Sequence, residues 1–130
     1  MNIRTFTTIS ELVYTRLSTI TEIGTRVFPI IAENSTNYPF VVYSRDSLTP
    51  TYCKDGCIED NVDITLRIVS ATYWEGIDIA NSARTVLTLK NHIGNGGAII
   101  NSTLNSASES YEENAYIQTL SFSFNITSNT

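Results

Sequence analysis

The chain has 130 residues, enough for one domain of ordinary size with its own hydrophobic core. Charged residues make up only 16%, and 13 acidic against 8 basic side chains give a net charge of −5 without any cluster of Lys or Arg. This composition argues against a sequence-reading nucleic-acid binder, which needs a basic face, and no stretch approaches the ~18 apolar residues of a membrane span.

The first predicted element is a helix over residues 8–20. Thr8 and Glu11 form a capping-box pattern at its start, and Gly24 is a suitable stop. The first ten residues lack the apolar core of a signal peptide, so we expect a cytoplasmic product. One stripe of the helix is apolar at helical spacing: Ile9, Leu12, Val13, Leu17 and Ile20.

Two short β-like runs follow, each interrupted by a proline. Residues 26–31 predict an edge strand, because Pro29 cannot donate a hydrogen bond to a neighbouring strand. Residues 40–45 are apolar on both faces at first, which favours a strand nearer the sheet centre. Pro39 stands at the first position of that strand, where a missing N–H is tolerated.

A polar segment over residues 46–60 contains a predicted projecting hairpin arm, residues 47–60. Its tip is Cys53-Lys54-Asp55-Gly56-Cys57, in which three loop residues ending in glycine match a common hairpin turn. The two cysteines are open to three interpretations: free thiols, a disulfide, or half of a metal site. A reducing cytosol and the single histidine of the chain favour free thiols.

Strict alternation of apolar and polar residues over positions 62–68 predicts a half-buried strand. Thr72 and Glu75 then form a second capping box, which opens a helix to about Asn91. The predicted inner face of this helix comprises Ile77, Ala80, Ala83, Arg84 and Leu87.

The last third predicts two more strands, residues 98–104 and a final strand after residue 114, separated by a polar bend over residues 105–114. One face of the final strand is mainly aromatic and aliphatic, at Tyr116, Leu120, Phe122, Phe124 and Ile126, and the other is polar, at Thr119, Ser121, Ser123 and Asn125. We therefore predict a single α+β domain over residues 1–130. It is an antiparallel sheet with two helices on one face and a projecting hairpin arm, in the order α-β-β-(arm)-β-α-β-β.

Candidate chemical groups all have simpler structural interpretations. His92 stands at the predicted end of the second helix, where an imidazolium would interact favourably with the helix dipole. Glu109, Glu112 and Glu113 form a small acidic group, either a solvated loop or carboxylates for acid–base work. With one histidine, a nucleophilic triad is not supported. We expect no catalytic, cofactor or metal site.

Tyr73 and Trp74 open the second predicted helix. They either pack on the core as a staple or form an aromatic anchor at a subunit interface, where Trp and Tyr are enriched.

The order and spacing of these elements resemble the tail completion or tail terminator proteins of long-tailed bacteriophages, a family of tail-to-head joining and minor tail proteins. The resemblance runs from about residue 9 to residue 126. The cysteine pair and the surface rich in Ser, Thr and Asn are not part of the family pattern. The matching segments are Arg26-Val27-Phe28-Pro29, Tyr38-Pro39-Phe40-Val41-Val42-Tyr43, Gly56 at the arm tip, the strand at residues 63–68, Tyr73-Trp74-Glu75 and Ser110-Tyr111-Glu112.

The resemblance implies a structural protein without enzymatic activity or cofactor. Such a protein forms a homo-oligomeric ring, a hexamer in the virion, and is compatible with a monomer in solution. It caps the tail tube protein and faces the head–tail connector protein, while DNA passes through without specific binding and no membrane is involved. It would be found in the bacterial host cytoplasm during assembly and then in the virion tail. We place the contacts of the ring on Leu48, Tyr52, Lys54, Asp55, Ile58, Tyr73, Trp74, Tyr111 and Glu112.

Two other functions remain open at this point. A head-completion or neck adaptor protein would bind the portal side instead of the tail tube. A small α+β ligand-binding domain would use the acidic bend and Tyr73, and would need a concave pocket with converging polar groups.

Overall fold

The computed structural model describes residues 5–24, 26–32, 37–52, 58–94 and 97–127, without the side chain of Ile58. The predicted tip residues Cys53, Lys54, Asp55, Gly56 and Cys57 lie outside these ranges. In chain order the elements are α1 (Thr5–Leu17), β1 (Val27–Pro29), β2 (Phe40–Tyr52), β3 (Ile58–Ser70), α2 (Tyr73–Leu87), β4 (His92–Ile93), β5 (Ile99–Glu112) and β6 (Ala115–Thr127).

The strands form one strongly curled six-stranded sheet in the order β1-β2-β3-β6-β5-β4. The predicted α+β class is confirmed, and β2, β3, β6 and β5 are antiparallel to their neighbours. Short β1 is the exception, because it runs parallel to β2 at the sheet edge that Pro29 predicted. β2 and β3 pair as far as Tyr52 and Ile58, on the two sides of the predicted arm tip.

The core lies between the two helices and one side of the sheet, here called the helix face. The alternation of β3 and β6 is confirmed by burial of their apolar residues on this face, and the predicted apolar stripe of α1 packs against them. The opposite side of the sheet, the outer face, carries the polar residues of the same strands. The largest fully buried side chains include Leu66, Ile68, Phe122, Phe124 and Leu17.

Helix α1 begins at or before Thr5, three residues earlier than the sequence pattern indicates. Thr8 is buried inside the helix, so the predicted Thr8–Glu11 capping box is wrong. The Thr5 hydroxyl donates to the buried carboxylate of Asp60 on β3, a contact that a local sequence pattern does not reveal. The helix ends at Leu17, and turns lead to Gly24, whose φ of +53° suits glycine.

Helix α2 begins as predicted, with the Thr72 hydroxyl accepting a hydrogen bond from the Glu75 amide at 3.4 Å. It ends at Leu87 instead of Asn91. Its buried residues are Gly76, Ile79, Ala83 and Leu87, so the prediction of Ile77 and Arg84 on the inner face is wrong; Ile77 is half-buried and Arg84 exposed.

Two other local predictions around the second half of the chain are corrected. His92 lies in β4, beyond the end of α2, with its Nδ1 3.5 Å from an Arg16 guanidinium nitrogen, so it does not cap the helix. The predicted bend over residues 105–114 is wrong, since β5 continues to Glu112 and pairs with β6 throughout. The chain reverses at Glu113 and Asn114, whose φ values of +49° and +65° are those of a tight hairpin turn.

Two β-bulges interrupt the outermost long strands, at Asp46 in β2 and at Asn105 in β5. They lie at the same height in the sheet, because Arg45 pairs with Ile64, Ile64 with Phe122, and Phe122 with Leu104. A bulge bends its strand and increases the local twist, so the matched pair accounts for curling across the whole sheet.

Candidate functional site

The two long outer strands each leave much of one edge without a neighbour in the described part of the chain. β1 covers β2 only from Val41 to Tyr43, and β4 covers β5 only at Ile99 and Ile100. The amide of Ser102 also donates to the Leu89 carbonyl, 3.0 Å away. We call residues 45–52 of β2 and residues 104–112 of β5 the open edges. Exposed strand edges carry unpaired N–H and C=O groups and readily pair with another chain.

The open edges run in opposite directions. Each step from β2 to β3, to β6 and to β5 reverses the strand direction, so β5 is antiparallel to β2. When the same sheet is repeated side by side, β5 of one copy therefore meets β2 of the next in antiparallel orientation. This is the geometry that hydrogen bonding between neighbouring strands of an antiparallel sheet requires.

The outer face between the open edges is hydrophilic and held together by its own hydrogen bonds. The Asp63 carboxylate accepts bonds from the hydroxyls of Ser47 on β2, at 3.0 Å, and Ser123 on β6, at 2.8 Å. The Asn125 amide donates to the side-chain oxygen of Asn61 at 2.9 Å. The predicted polar face of β6 is thus a set of cross-strand pairs, which stiffen the sheet and leave a wet, weakly charged surface.

Four aromatic residues meet where α2 begins and the β5–β6 hairpin turns. The ring centroids lie 5.1 Å apart for Tyr73 and Trp74, 6.0 Å for Tyr73 and Tyr116, and 4.8 Å for Tyr111 and Tyr116, all edge-to-face. Trp74 is 72% exposed and Tyr111 56% exposed. The interpretation of Trp74 as a core staple is therefore wrong, and the structure brings together Tyr73, Trp74 and Tyr111, which the sequence singled out separately.

Glu109 on β5 lies beside this cluster on the helix face. Its carboxylate accepts a hydrogen bond from the Tyr73 hydroxyl at 3.3 Å and another from the Gln118 amide at 3.1 Å. Gln118 is only 7% exposed, so its buried amide fixes the position of the Glu109 carboxylate. The hydrogen bond to Glu109 is the main cause that raises the pKa of Tyr73, because ionisation would remove the proton that the hydroxyl donates.

The acidic group predicted as a possible acid–base unit is divided by the pleat of β5. Glu109 pairs with Gln118 on the helix face, whereas Glu112 pairs with Ala115 on the outer face. Glu112 forms an ion pair with Arg67 at 3.6 Å, and Glu113 occupies the hairpin turn. The three carboxylates therefore do not converge on one reacting position.

Of the other predicted contact residues, those that the structure describes lie toward the far end of the sheet. Tyr52 is 74% exposed and pairs with Ile58, next to the tip that contains Lys54 and Asp55, outside the described ranges. Leu48 is half-buried against the core. The described contact residues thus lie toward opposite ends of the sheet. Leu48 and Tyr52 lie toward the end where Glu59 of β3 pairs with Thr127 of β6. The aromatic cluster lies at the end where Ser70 pairs with Tyr116.

A groove on the outer face, with both polar and apolar lining, was not predicted from the sequence. It has a volume of about 560 Å³ and is lined partly by Ile30, Ile31, Tyr38 and Phe40, with Tyr38 stacked on Phe40 at 5.7 Å. The two isoleucines are exposed because β1 ends at Pro29. Because both isoleucines belong to an apolar run that predicts a strand, the sequence gives no sign of their exposure.

No group of three His, Cys, Asp or Glu side chains suited to a metal ion occurs within the described ranges. None of the helices in that part of the chain is long and apolar enough to cross a membrane.

No protein-family model matches the chain, and no curated protein matches it. Among solved structures, a chain of the virion of a native gene transfer agent (GTA) particle matches with a TM-score of 0.76. The identity is 13%, and the match covers 97% of this chain and 99% of that chain. The chain therefore shares its complete fold with a component of that particle.

Proposed function

We propose that the chain is a structural protein of a phage-like virion that assembles side by side into a closed ring, caps the tail tube and forms the tail side of the head–tail joint. The observation that carries this proposal is the pair of open edges, antiparallel to each other, on the two sides of one sheet. The full-length fold match to a chain of the GTA virion supports a place in such a particle. The family resemblance supports the tail terminator role and the hexamer.

The register of the sheet favours a closed barrel over a flat array. Glu109 is level with Gln118, Ile68 and Val41 across the four long strands. In a neighbouring copy placed flush, Val41 would already be paired with Val27 of its own β1. The open edges therefore meet only when the next copy is displaced along the strand direction. A constant stagger of this kind is what a sheet needs to close into a barrel.

Six copies of the four long strands would give a barrel of roughly 24 strands. With strands ~4.8 Å apart and tilted by ~40°, the backbone diameter is roughly 48 Å, which leaves a lumen wider than that of porins. In this arrangement the helices lie on the outside of the barrel. The outer face, which is the polar side of the sheet away from the helices, lines the lumen. Glu59, Asp63 and Glu112 outnumber Arg67 on that face, so DNA would pass without binding to it.

The two ends of the sheet become the two rims of the ring. The paired ends of β2 and β3 at Tyr52 and Ile58 lie at one rim, and Trp74 and Tyr111 lie at the other. We assign one rim to the tail tube protein and the other to the head–tail connector protein. Exposed aromatic residues at a rim are suited to such contacts, because Trp and Tyr often carry most of the binding energy at interfaces.

The ring is tested by native mass spectrometry and negative-stain imaging of the purified protein, alone and with tail tubes. A variant with S106K and S108K places two charges on the open edge of β5, which should block edge pairing and abolish the ring. N81K/T85K, with the same charge change at two exposed positions of α2, is the matched control and should leave the ring intact. A protein that remains monomeric at high concentration and beside tail tubes contradicts the proposal. Rings that bind head connectors but not tail tubes would favour the neck adaptor instead.

A further inference from the structure

The pocket formed by Tyr73, Glu109, Ser110, Tyr111, Tyr116 and Gln118, here the Glu109 pocket, has the properties of a cation site. It has a volume of about 270 Å³. Each carboxylate oxygen of Glu109 accepts one hydrogen bond and keeps a further acceptor position. Tyrosine rings attract cations to their faces. In the described parts of the chain the single ion pair is Arg67–Glu112, so Glu109 has no cation of its own there.

Arg45 is the cation whose place in the fold matches this pocket. It lies on the open edge of β2 and pairs with buried Ile64, so it faces the same side of the sheet as Glu109. Its side chain is exposed, with the guanidinium 4.4 Å from the centroid of the Phe6 ring. As for Glu109, no ion pair of Arg45 occurs within the ranges that the structure describes.

The stagger between neighbouring copies determines which residues meet across the open edges. In flush register Glu109 is level with Val41 of the neighbour. A displacement by four positions, an even number that keeps the faces of the sheet matched, places Arg45 opposite Glu109 (Val41 to Arg45 along β2). That register still puts Tyr111 opposite Tyr43, which β1 covers; two positions more clear β1 and place Arg45 opposite Tyr111, diagonal to Glu109. Both cross-strand distances are within reach of a long side chain.

We propose that Arg45 of one copy enters the Glu109 pocket of the next copy, where its guanidinium binds the carboxylate and stacks on the tyrosine rings. This inference rests on the proposed ring and identifies the charge pair that sets its stagger. A planar guanidinium suits the site better than an ammonium, because it combines two parallel hydrogen bonds to a carboxylate with stacking on aromatic faces.

The test is a charge exchange between the two positions, with R45E and E109R as single variants and R45E/E109R as the double variant. Each single change should raise the protein concentration of half-maximal assembly about tenfold or more, and the double variant should recover most of this loss. R84E, at an exposed position of α2, is the control and should assemble normally. Thermal unfolding of each monomer checks that the fold is kept. E109Q, which removes the charge with little change in shape, should also weaken assembly, but less than E109R, because it places no positive charge beside Arg45.

The outcomes separate the pair from the ring. If the wild-type protein forms rings and the single variants form them equally well, Arg45 does not bind in the Glu109 pocket, and the ring proposal stands. Single variants that fail and are not recovered by the double exchange also overturn the pairing. If the wild-type protein forms no ring, the proposed function fails and the inference fails with it. Fluorescence of Trp74, the only tryptophan, should change on assembly, since its ring lies 5.1 Å from that of Tyr73.

Discussion

Replacement of Gly76 by Ala tests how closely α2 docks on the sheet. A Cβ atom at this position would lie 2.7 Å from the Ser70 hydroxyl and 3.6 Å from Cγ of Gln118. Ser70 is completely buried, and its hydroxyl donates to the Thr72 carbonyl at 2.8 Å, directly before the helix. The added carbon therefore forces the hydroxyl to rotate out of its hydrogen bond or the helix to move.

The expected loss in the free energy of unfolding follows from two opposing effects. Alanine is the better helix former, by about 1 kcal/mol. An unpaired buried hydroxyl costs about 1–3 kcal/mol, and overpacking costs a similar amount. The losses exceed the gain, so G76A should destabilise the protein by about 2 kcal/mol. In a background with Ser70→Ala the obstructing oxygen is gone, and there G76A should be neutral or stabilise by up to about 1 kcal/mol.

Urea unfolding of the four proteins of this double-mutant cycle measures the coupling between the two positions. Thermal unfolding should show that G76A lowers the Tm of the wild-type protein by roughly 6–10 °C. The same change should not lower the Tm of the Ser70→Ala variant. A G76A variant that is more stable than the wild type would refute the reasoning. Equal destabilisation in both backgrounds would also refute it, because the cost would then not come from Ser70.

Two further predictions concern the Glu109 pocket and the core. The Tyr73 hydroxyl bond to Glu109 raises the pKa of Tyr73 above 10.0, so its contribution to stability is complete below about pH 10 and is lost as the pH rises through the raised pKa. The difference in unfolding free energy between wild type and Y73F should therefore stay constant up to about pH 10 and shrink at higher pH; a difference that stays constant there too would contradict the assignment. Phe122 is fully buried between both helices and the sheet, so F122A should lower the free energy of unfolding by about 3–5 kcal/mol in urea. A loss below about 1.5 kcal/mol would mean that this part of the core collapses around the gap.

The elements with a regular apolar period could be predicted from the sequence. β3 alternates strictly and the final strand does so from Thr119 onward, because one face packs on helices and the other meets water, and burial follows that alternation. The second half of β5 has no such period, since residues 105–112 are all exposed. Its strand conformation is imposed by pairing with β6, which is an interaction between distant residues that local composition does not encode.

The helices show the same limit in a different way. The capping pattern at Thr72 was correct, whereas the equivalent pattern at Thr8 lies inside α1, because the Thr5–Asp60 hydrogen bond anchors an earlier turn. The predicted inner face of α2 differs from the observed one because Gly76 packs against the sheet although it has no apolar side chain. A glycine that permits close approach has no apolar signal of its own.

The candidate site was predicted only in pieces. Tyr73, Trp74 and Tyr111 were singled out as contact residues, but Tyr116 was assigned to the core face and Glu109 to an acidic loop. Their assembly into one pocket depends on the β5–β6 hairpin, which was not predicted.

The single extra residue at Asp46 determines which way the whole outer half of β2 faces. Because Asp46 is left out of the ladder, Leu48 beyond it faces the helices and Ser47 faces Asp63; a slip that paired Asp46 with Asp63 would reverse both. Beyond Asp46, two residues can be added to or removed from β2 and every later side chain stays on the same face of the sheet. A single added or removed residue moves all later side chains of the strand to the opposite face. Proteins with this fold should therefore differ in the length of these strands by even numbers of residues, because such changes alter the length of the hairpin and keep the packing of its side chains on the core.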